Sequence, residues 1–235
     1  MLTLAVKLLI ANVIGDFVFQ PYKWVVDKLQ FKHRSKYLYY HIGVHLLALL
    51  LVTRFETEFF LPILVIVITH YFIDLSKLSL DGRYNSGFLF VADQIAHISI
   101  LMGVAYVYGV YVSAYDPILT DNQLLLVLAV LSIIFVSRIL MHLLMGKWSV
   151  DYEASPTVQR IGTFVGITER LLVFAFVVYG HWLYIGILFV IKTILRMYII
   201  KPKDEHVRFE LFLLGTLLSF GMAVLIGLGY LHFLS

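Results

Sequence analysis

Four polar pairs with four-residue spacing stand in the first half of the chain: Asp16 and Gln20, His41 and His45, His70 and Asp74, Asp93 and His97. On a helix, residues four apart share a face. A His-x-x-x-His face can offer two imidazoles to one metal ion, and Asp adds oxygen donors and negative charge. The chain has no cysteine, so disulfides and thiolate metal sites are excluded. A His and Asp set of this kind suits a divalent metal, zinc first, with manganese or iron as alternatives. Counting Asp16 and the three following pairs gives seven candidates, more than one tetrahedral ion needs. His45, His70, Asp74, Asp93 and His97 are expected as the ligand pool. Asp16 or His41 is expected as a catalytic base or as support for the ligands, and the neighbouring Gln20, Lys77 and Gln94 as further support.

A second polar set follows later in the chain. Arg138 and His142 come first, then Glu169 and Arg170, then Lys192 and Arg196 four residues apart, then Glu210. Arg170, Lys192 and Arg196 could cradle a phosphate or carboxylate, since Arg offers a bidentate fork. The plain alternative is ion pairing of Glu169 and Glu210 with these cations inside the bundle. Both can hold at once.

These residues sit in a chain that is 61% hydrophobic and only 14% charged over 235 residues, with a mean hydropathy of +0.91. Soluble domains carry about 25% charged residues, so lipid must serve as solvent. The fold expected is all-α, a polytopic transmembrane bundle forming one integral membrane domain over 1–235. Its 1–112 half is rich in His and Asp, and its 123–235 half carries the Arg, Lys and Glu set. Eight apolar segments approach the roughly 20 residues that a span needs: Leu2–Phe19, Tyr37–Thr53, Phe59–Leu75, Phe88–Val112, Gln123–Met145, Ile161–Tyr179, Trp182–Ile200 and Phe209–Phe233. Leu2–Phe19 lacks the basic start and the small-residue cleavage site of a signal peptide, so it reads as the first span. Between the first two spans, Tyr22, Val25, Val26 and Leu29 make an apolar stripe opposite Lys23, Asp27, Lys28 and Gln30. That pattern predicts a short helix lying on the membrane surface. Pro62 interrupts the third segment, and Gly162 and Gly166 form a Gly-x-x-x-Gly face expected to allow close packing within the chain.

Lys and Arg concentrate in alternate loops. Lys23, Lys28, Lys32, Arg34 and Lys36 follow the first segment, Lys77 and Arg83 the third, Lys147 and Arg160 the fifth, and Lys201, Lys203 and Arg208 the seventh. Cytoplasmic loops carry this excess. Both termini are therefore expected outside the cytoplasm, in a cytoplasmic (bacterial inner) membrane. Alternating helix direction then brings all four early pairs to one depth, at the cytoplasmic end. Polar side chains in membrane helices also serve as interhelical hydrogen-bond glue or as a proton or ion path. Four pairs at one depth favour a shared cation over either alternative.

The order of these motifs resembles the bacterial membrane family catalogued as domain of unknown function 3307. The resemblance rests on Gly15-Asp16-Phe17 with Gln20, His41 with His45, His70 with Asp74 and Lys77, and Asp93-Gln94 with His97. It continues through Gly166, Thr168, Glu169 and Arg170, then Lys192 and Arg196, then Glu210, Gly215, Thr216 and Ser219. It implies a multi-pass membrane protein and brings no reaction with it. The first half is also similar, more loosely, to predicted membrane-bound metal-dependent hydrolases, which implies metal chemistry at helix ends.

Two functions are expected from this pattern. One is a metal-dependent hydrolase working on a phospholipid or other phosphoester at the cytoplasmic face, with an anionic lipid head group as partner and Glu169 and Glu210 supporting the cationic set. The other is a non-catalytic membrane protein, a partner-binding subunit or transporter with a structural polar core. A formal net charge of +3 without a basic run interleaved with aromatics gives no sign of a nucleic-acid partner.

Overall fold

The structure, a computed structural model, describes residues 1–112, 119–146, 156–199 and 205–234, with side chains described except at 110–112, 156–159, 196–199 and 205–208. Expectations on Lys147, Lys201 and Lys203 lie outside the described residues, and so do those on the side chains of Arg196 and Arg208.

Every apolar segment folds as helix, as backbone in lipid requires, because only a helix satisfies its own N–H and C=O groups there. The chain forms two compact units, Met1–Leu128 and Ala129–Ser235. In the first, α1 (Leu2–Val13) continues into a π-helical turn (Ile14–Val18) and is followed by α2 (Tyr22–Phe31), α3 (Lys36–Val52), α4 (Phe60–Leu80) and α5 (Ser86–Val112). Helix α6 (Asp121–Leu131) crosses the boundary between units, passes through a second π-helical turn (Ser132–Val136) and continues as α7 (Ser137–Met145). Then come α8 (Pro156–Val178), α9 (Trp182–Ile199) and α10 (Glu205–Leu234).

Among the described residues five helical stretches are long and apolar enough to cross a membrane: Thr57–Leu80, Ser86–Gly109, Asp121–Met145, Arg160–Val178 and Phe209–Leu234. A sixth span results if the bent pair Leu2–Val18 and Tyr22–Arg34 counts as one. Against the eight spans expected, Lys36–Val52 and Trp182–Leu195 are apolar but shorter. Pro62, expected to interrupt a span, instead falls in the first turn of α4, where its missing N–H has no helical partner to lose.

Helices α1, α3, α4 and α5 pack in a ring, α1 on α3 and α5, and α4 on α3 and α5. One end of this ring is apolar: Leu4, Leu8, Ala48, Leu49, Ile63, Ile66, Leu101 and Ala105 form a buried core. These residues come from the start of α1 and α4 and the end or middle of α3 and α5. The opposite helix ends, with their polar pairs, must therefore meet at the other end.

Helix α2 turns away from the axis of α1 by 84°. Pro21 is the cause: it lacks an N–H and disfavours helical backbone at Gln20. The apolar stripe of α2 remains outward, with Tyr22, Val26 and Leu29 exposed, while Lys28 is buried. This corrects the expectation that Lys28 lies on a solvated face. Trp24 stacks on Tyr37 of α3 at 5.6 Å between ring centroids, which holds α2 in place.

In the second unit α10 packs on α7, α8 and α9. Val173, Phe220 and Ala223 form one core, and Ala129, Ile133 and Phe174 another. The close helix approach is not at the Gly-x-x-x-Gly face. A methyl group at Gly162 would meet nothing within 4 Å, whereas one at Gly227 would come within 2.8 Å of Val177.

Candidate metal centre

The π-helical turn at the end of α1 carries Asp16. Such a turn interrupts the regular ladder and re-aims the side chains within it. Asn12 Nδ2 donates to Asp16 Oδ2 at 3.1 Å and Gln94 Nε2 donates to the same oxygen at 3.2 Å. The other oxygen, Oδ1, faces imidazoles. His45 Nε2 lies 3.2 Å from it, His41 Nε2 3.4 Å and His70 Nε2 3.8 Å. His41 Nε2 and His70 Nε2 are themselves 3.3 Å apart. Gly15 makes this approach possible, since a methyl group there would overlap the His45 ring.

The next carboxylate has its own cation. Lys28 Nζ donates to Asp74 Oδ2 at 3.1 Å, with both side chains buried. Gln20 steadies the pair: with its amide turned so that both ends are satisfied, the oxygen accepts from Lys28 Nζ at 2.6 Å and the nitrogen donates to the Asp16 carbonyl at 3.3 Å. Asp93 is likewise paired, with Lys77 Nζ donating to Oδ2 at 2.8 Å and Gln94 Nε2 at 3.2 Å. Gln94 thus ties Asp16 to Asp93. The imidazoles stack in a column, His45 on His70 at 3.8 Å and His70 on His97 at 4.0 Å between centroids.

Residues 4–127 match the family described as protein of unknown function (DUF3307). The chain belongs to this family. The matched DUF3307 stretch ends next to the boundary of the first unit at Leu128, so it contains the whole His and Asp cluster. The motifs from Gly166 to Ser219 lie beyond it. No curated protein and no solved structure matches the chain.

Within the DUF3307 unit the donor atoms fall into two overlapping groups. Asp16, His41, His45 and His70 each offer an atom within 4.8 Å of the others, and so do His70, Asp74 and His97. This cluster could hold a metal ion. A tetrahedral ion with ligands at about 2.0–2.1 Å has donors about 3.3–3.4 Å apart along each edge. The separations of 3.2, 3.3 and 3.4 Å in the first group match that edge, and the 3.8 Å from His70 to Asp16 is slightly longer. A hydrogen-bonded His pair would give the same 3.3 Å, so spacing alone does not decide. Charge is the stronger argument. Asp74 and Asp93 each have an ammonium partner, while Asp16 is surrounded by amides and imidazoles. A buried carboxylate without a cation is costly.

Asn12 and Lys28 belong to this cluster without having been expected there. Asn12 had a usable signal, since Asn12, Asp16 and Gln20 repeat at four-residue spacing. Lys28 had none, because its helix reads as an ordinary amphipathic segment.

The second unit treats its charges differently. Lys192 Nζ pairs with Glu169 Oε2 and lies over the rings of Phe212 and Phe220, 5.6 Å from each centroid. Arg170 is buried; its Nε donates to the Ile133 carbonyl at 3.2 Å and its Nη1 to Ser219 Oγ at 3.4 Å. That carbonyl lies in the second π-helical turn. Arg138, His142 and Glu210 are exposed.

Proposed function

We propose that Asp16, His41, His45 and His70 hold one divalent cation, zinc first, in a membrane-embedded hydrolase that cleaves a phospholipid or other phosphoester. The observation that carries the metal reading is Asp16 Oδ1, buried among three imidazole nitrogens at 3.2, 3.4 and 3.8 Å with no ammonium beside it among the described residues. Metal chemistry in such a place lowers the pKa of a bound water and polarises a phosphoryl oxygen. The chain's own residues do the positioning. Asn12 and Gln94 fix the far oxygen of Asp16, and Lys28 and Lys77 hold Asp74 and Asp93 in place. The looser likeness of the early motifs to membrane-bound metal-dependent hydrolases supports the reaction class. Lys192 already has Glu169 as counter-ion, so the proposal rests on the first unit.

Elemental analysis of detergent-purified protein should find about one tightly held divalent ion or more per chain, falling toward zero in Asp16→Asn and His45→Ala. The metal-loaded wild type should turn over a phosphoester from a panel of lipids and soluble esters. A folded wild type without metal, after incubation with zinc, manganese and iron, would refute the centre. Metal without turnover would leave the centre and remove the hydrolase.

The two ammonium–carboxylate pairs favour a second reading, in which the cluster is a structural polar core of a non-catalytic membrane protein. Under it Asp16 is neutralised by a proton shared with an imidazole, and the metal analysis separates the two.

We place the polar end of the first unit at the cytoplasmic face, with both termini outside, from the Lys and Arg asymmetry of the loops. A thiol introduced at Lys23 should react with impermeant reagent only in inverted vesicles, and one at Arg54 only in right-side-out cells. The reverse pattern would invert the orientation.

A further inference from the structure

His97 is the anomaly of the cluster. It is 3% exposed, and among the described residues neither ring nitrogen has a hydrogen-bond partner; its Nδ1 lies 3.8 Å from Asp93 Oδ2, too far for one. One turn earlier on the same helix face, Asp93 Oδ1 is also buried and unpartnered. Buried polar atoms in a bundle are almost always satisfied, so orphans ask for a group that is not part of the chain. A neutral imidazole always presents at least one lone pair, and a carboxylate oxygen only accepts. The unprotonated His97 nitrogen and Asp93 Oδ1 therefore call for a donor or a cation, while the other His97 nitrogen carries the N–H.

We propose that His97 and Asp74 hold a second divalent cation beside the first, with His70 standing between them and Asp93 Oδ1 flanking it, so that the cluster is a two-cation centre for a phosphate group. This rests on the reading of Asp16, His41, His45 and His70 as the first cation's donors. His70, Asp74 and His97 offer atoms within 4.8 Å of one another. Lys28 occupies Asp74 Oδ2 at 3.1 Å, leaving Oδ1, which lies 4.0 Å from His70 Nε2. The imidazole column puts His70 against both neighbours, His45 on one side and His97 on the other. Paired cations sharing one site are a recurrent arrangement for clamping phosphoryl oxygens.

Charge names the ligand class. Asp16, Asp74 and Asp93 against Lys28 and Lys77 leave one negative charge. Two divalent ions turn this into an excess of three positive charges, which a phosphate group together with a hydroxide balances. A neutral ligand would leave that excess buried. A groove of about 310 Å³ between α4 and α5 is lined by Phe72, Ile73 and Leu89 and also by Lys77 and Asp93, the pair at the edge of the cluster. The rival occupant of the orphaned atoms is a bridging water, which needs no second cation.

The test is a titration of metal-free, detergent-purified full-length protein with Mn²⁺, read by elemental analysis and electron paramagnetic resonance. Two Mn²⁺ per chain with the broadened spectrum of an exchange-coupled pair are expected, and inorganic phosphate should alter that spectrum. His97→Phe keeps a ring against His70 and removes both nitrogens. It should hold one Mn²⁺ with an isolated six-line spectrum, and bind phosphate at least tenfold more weakly. One uncoupled ion in the wild type, or two coupled ions retained in His97→Phe, overturns the second cation and leaves the first. No ion in the folded wild type overturns both. If His97→Phe fails to fold, the wild-type spectrum still decides.

Discussion

Both units bury charge in an apolar bundle, and both place it beside a π-helical turn, yet they settle it in opposite ways. In the second unit the chain answers its own charges: Glu169 neutralises Lys192, and the Ile133 carbonyl accepts from Arg170. In the first unit the chain stops short. Two carboxylates receive ammonium partners, but among the described residues Asp16 has only amides and imidazoles, and His97 has no hydrogen bond. Under the metal reading proposed above, this difference separates polar groups that complete a fold from those that wait for a cation. A burial pattern by itself would have scored the two units alike.

The comparison is most sharply tested where each unit loses an ammonium. Lys28→Met strands Asp74, and both side chains are under a tenth exposed, so a loss of about 3–5 kcal/mol is expected. Lys192→Met strands Glu169 in a pair that is 22% and 14% exposed, and about 1–3 kcal/mol is expected, between the exposed and the buried cases. Denaturation in mixed detergent would measure both. Added zinc should restore much of the stability of Lys28→Met, because a cation can take the place of the ammonium, and none of that of Lys192→Met. Equal responses to zinc would erase the distinction between the units.

Smaller effects follow from two glycines. Gly15→Ala pushes a methyl group into the His45 ring, and overpacking of this kind costs about 1–3 kcal/mol. Metal content should fall with it, since His45 must move off Asp16. Retention of full metal would exclude His45 from the ligand set. Gly162→Ala meets nothing within 4 Å and replaces a poor helix former, so stability should stay level or rise by up to about 1 kcal/mol. A clear loss there would mean that this face packs against something outside the chain.

The sequence by itself determined the helical class, because apolar runs of this length admit no other hydrogen-bonded backbone in lipid. It also determined which side chains share a helix face, since four-residue spacing sets that locally. The common depth of Asp16, His41, His45, His70, Asp74, Asp93 and His97 followed from alternating helix direction. What it left open was everything that depends on rotation about a helix axis and on bends. Periodicity gives no sign of the π-helical turn that carries Asp16; Pro21 marks the 84° break, but that Lys28 is buried beyond it is decided by packing. Span count shifted for a related reason: α3 is apolar but only 17 residues long, and whether so short a helix crosses a membrane depends on its neighbours. Which carboxylate lacks a cation is likewise a tertiary fact. Spacing places donors on faces, but only the packed bundle decides which ammonium reaches which oxygen, and so which charge is left over.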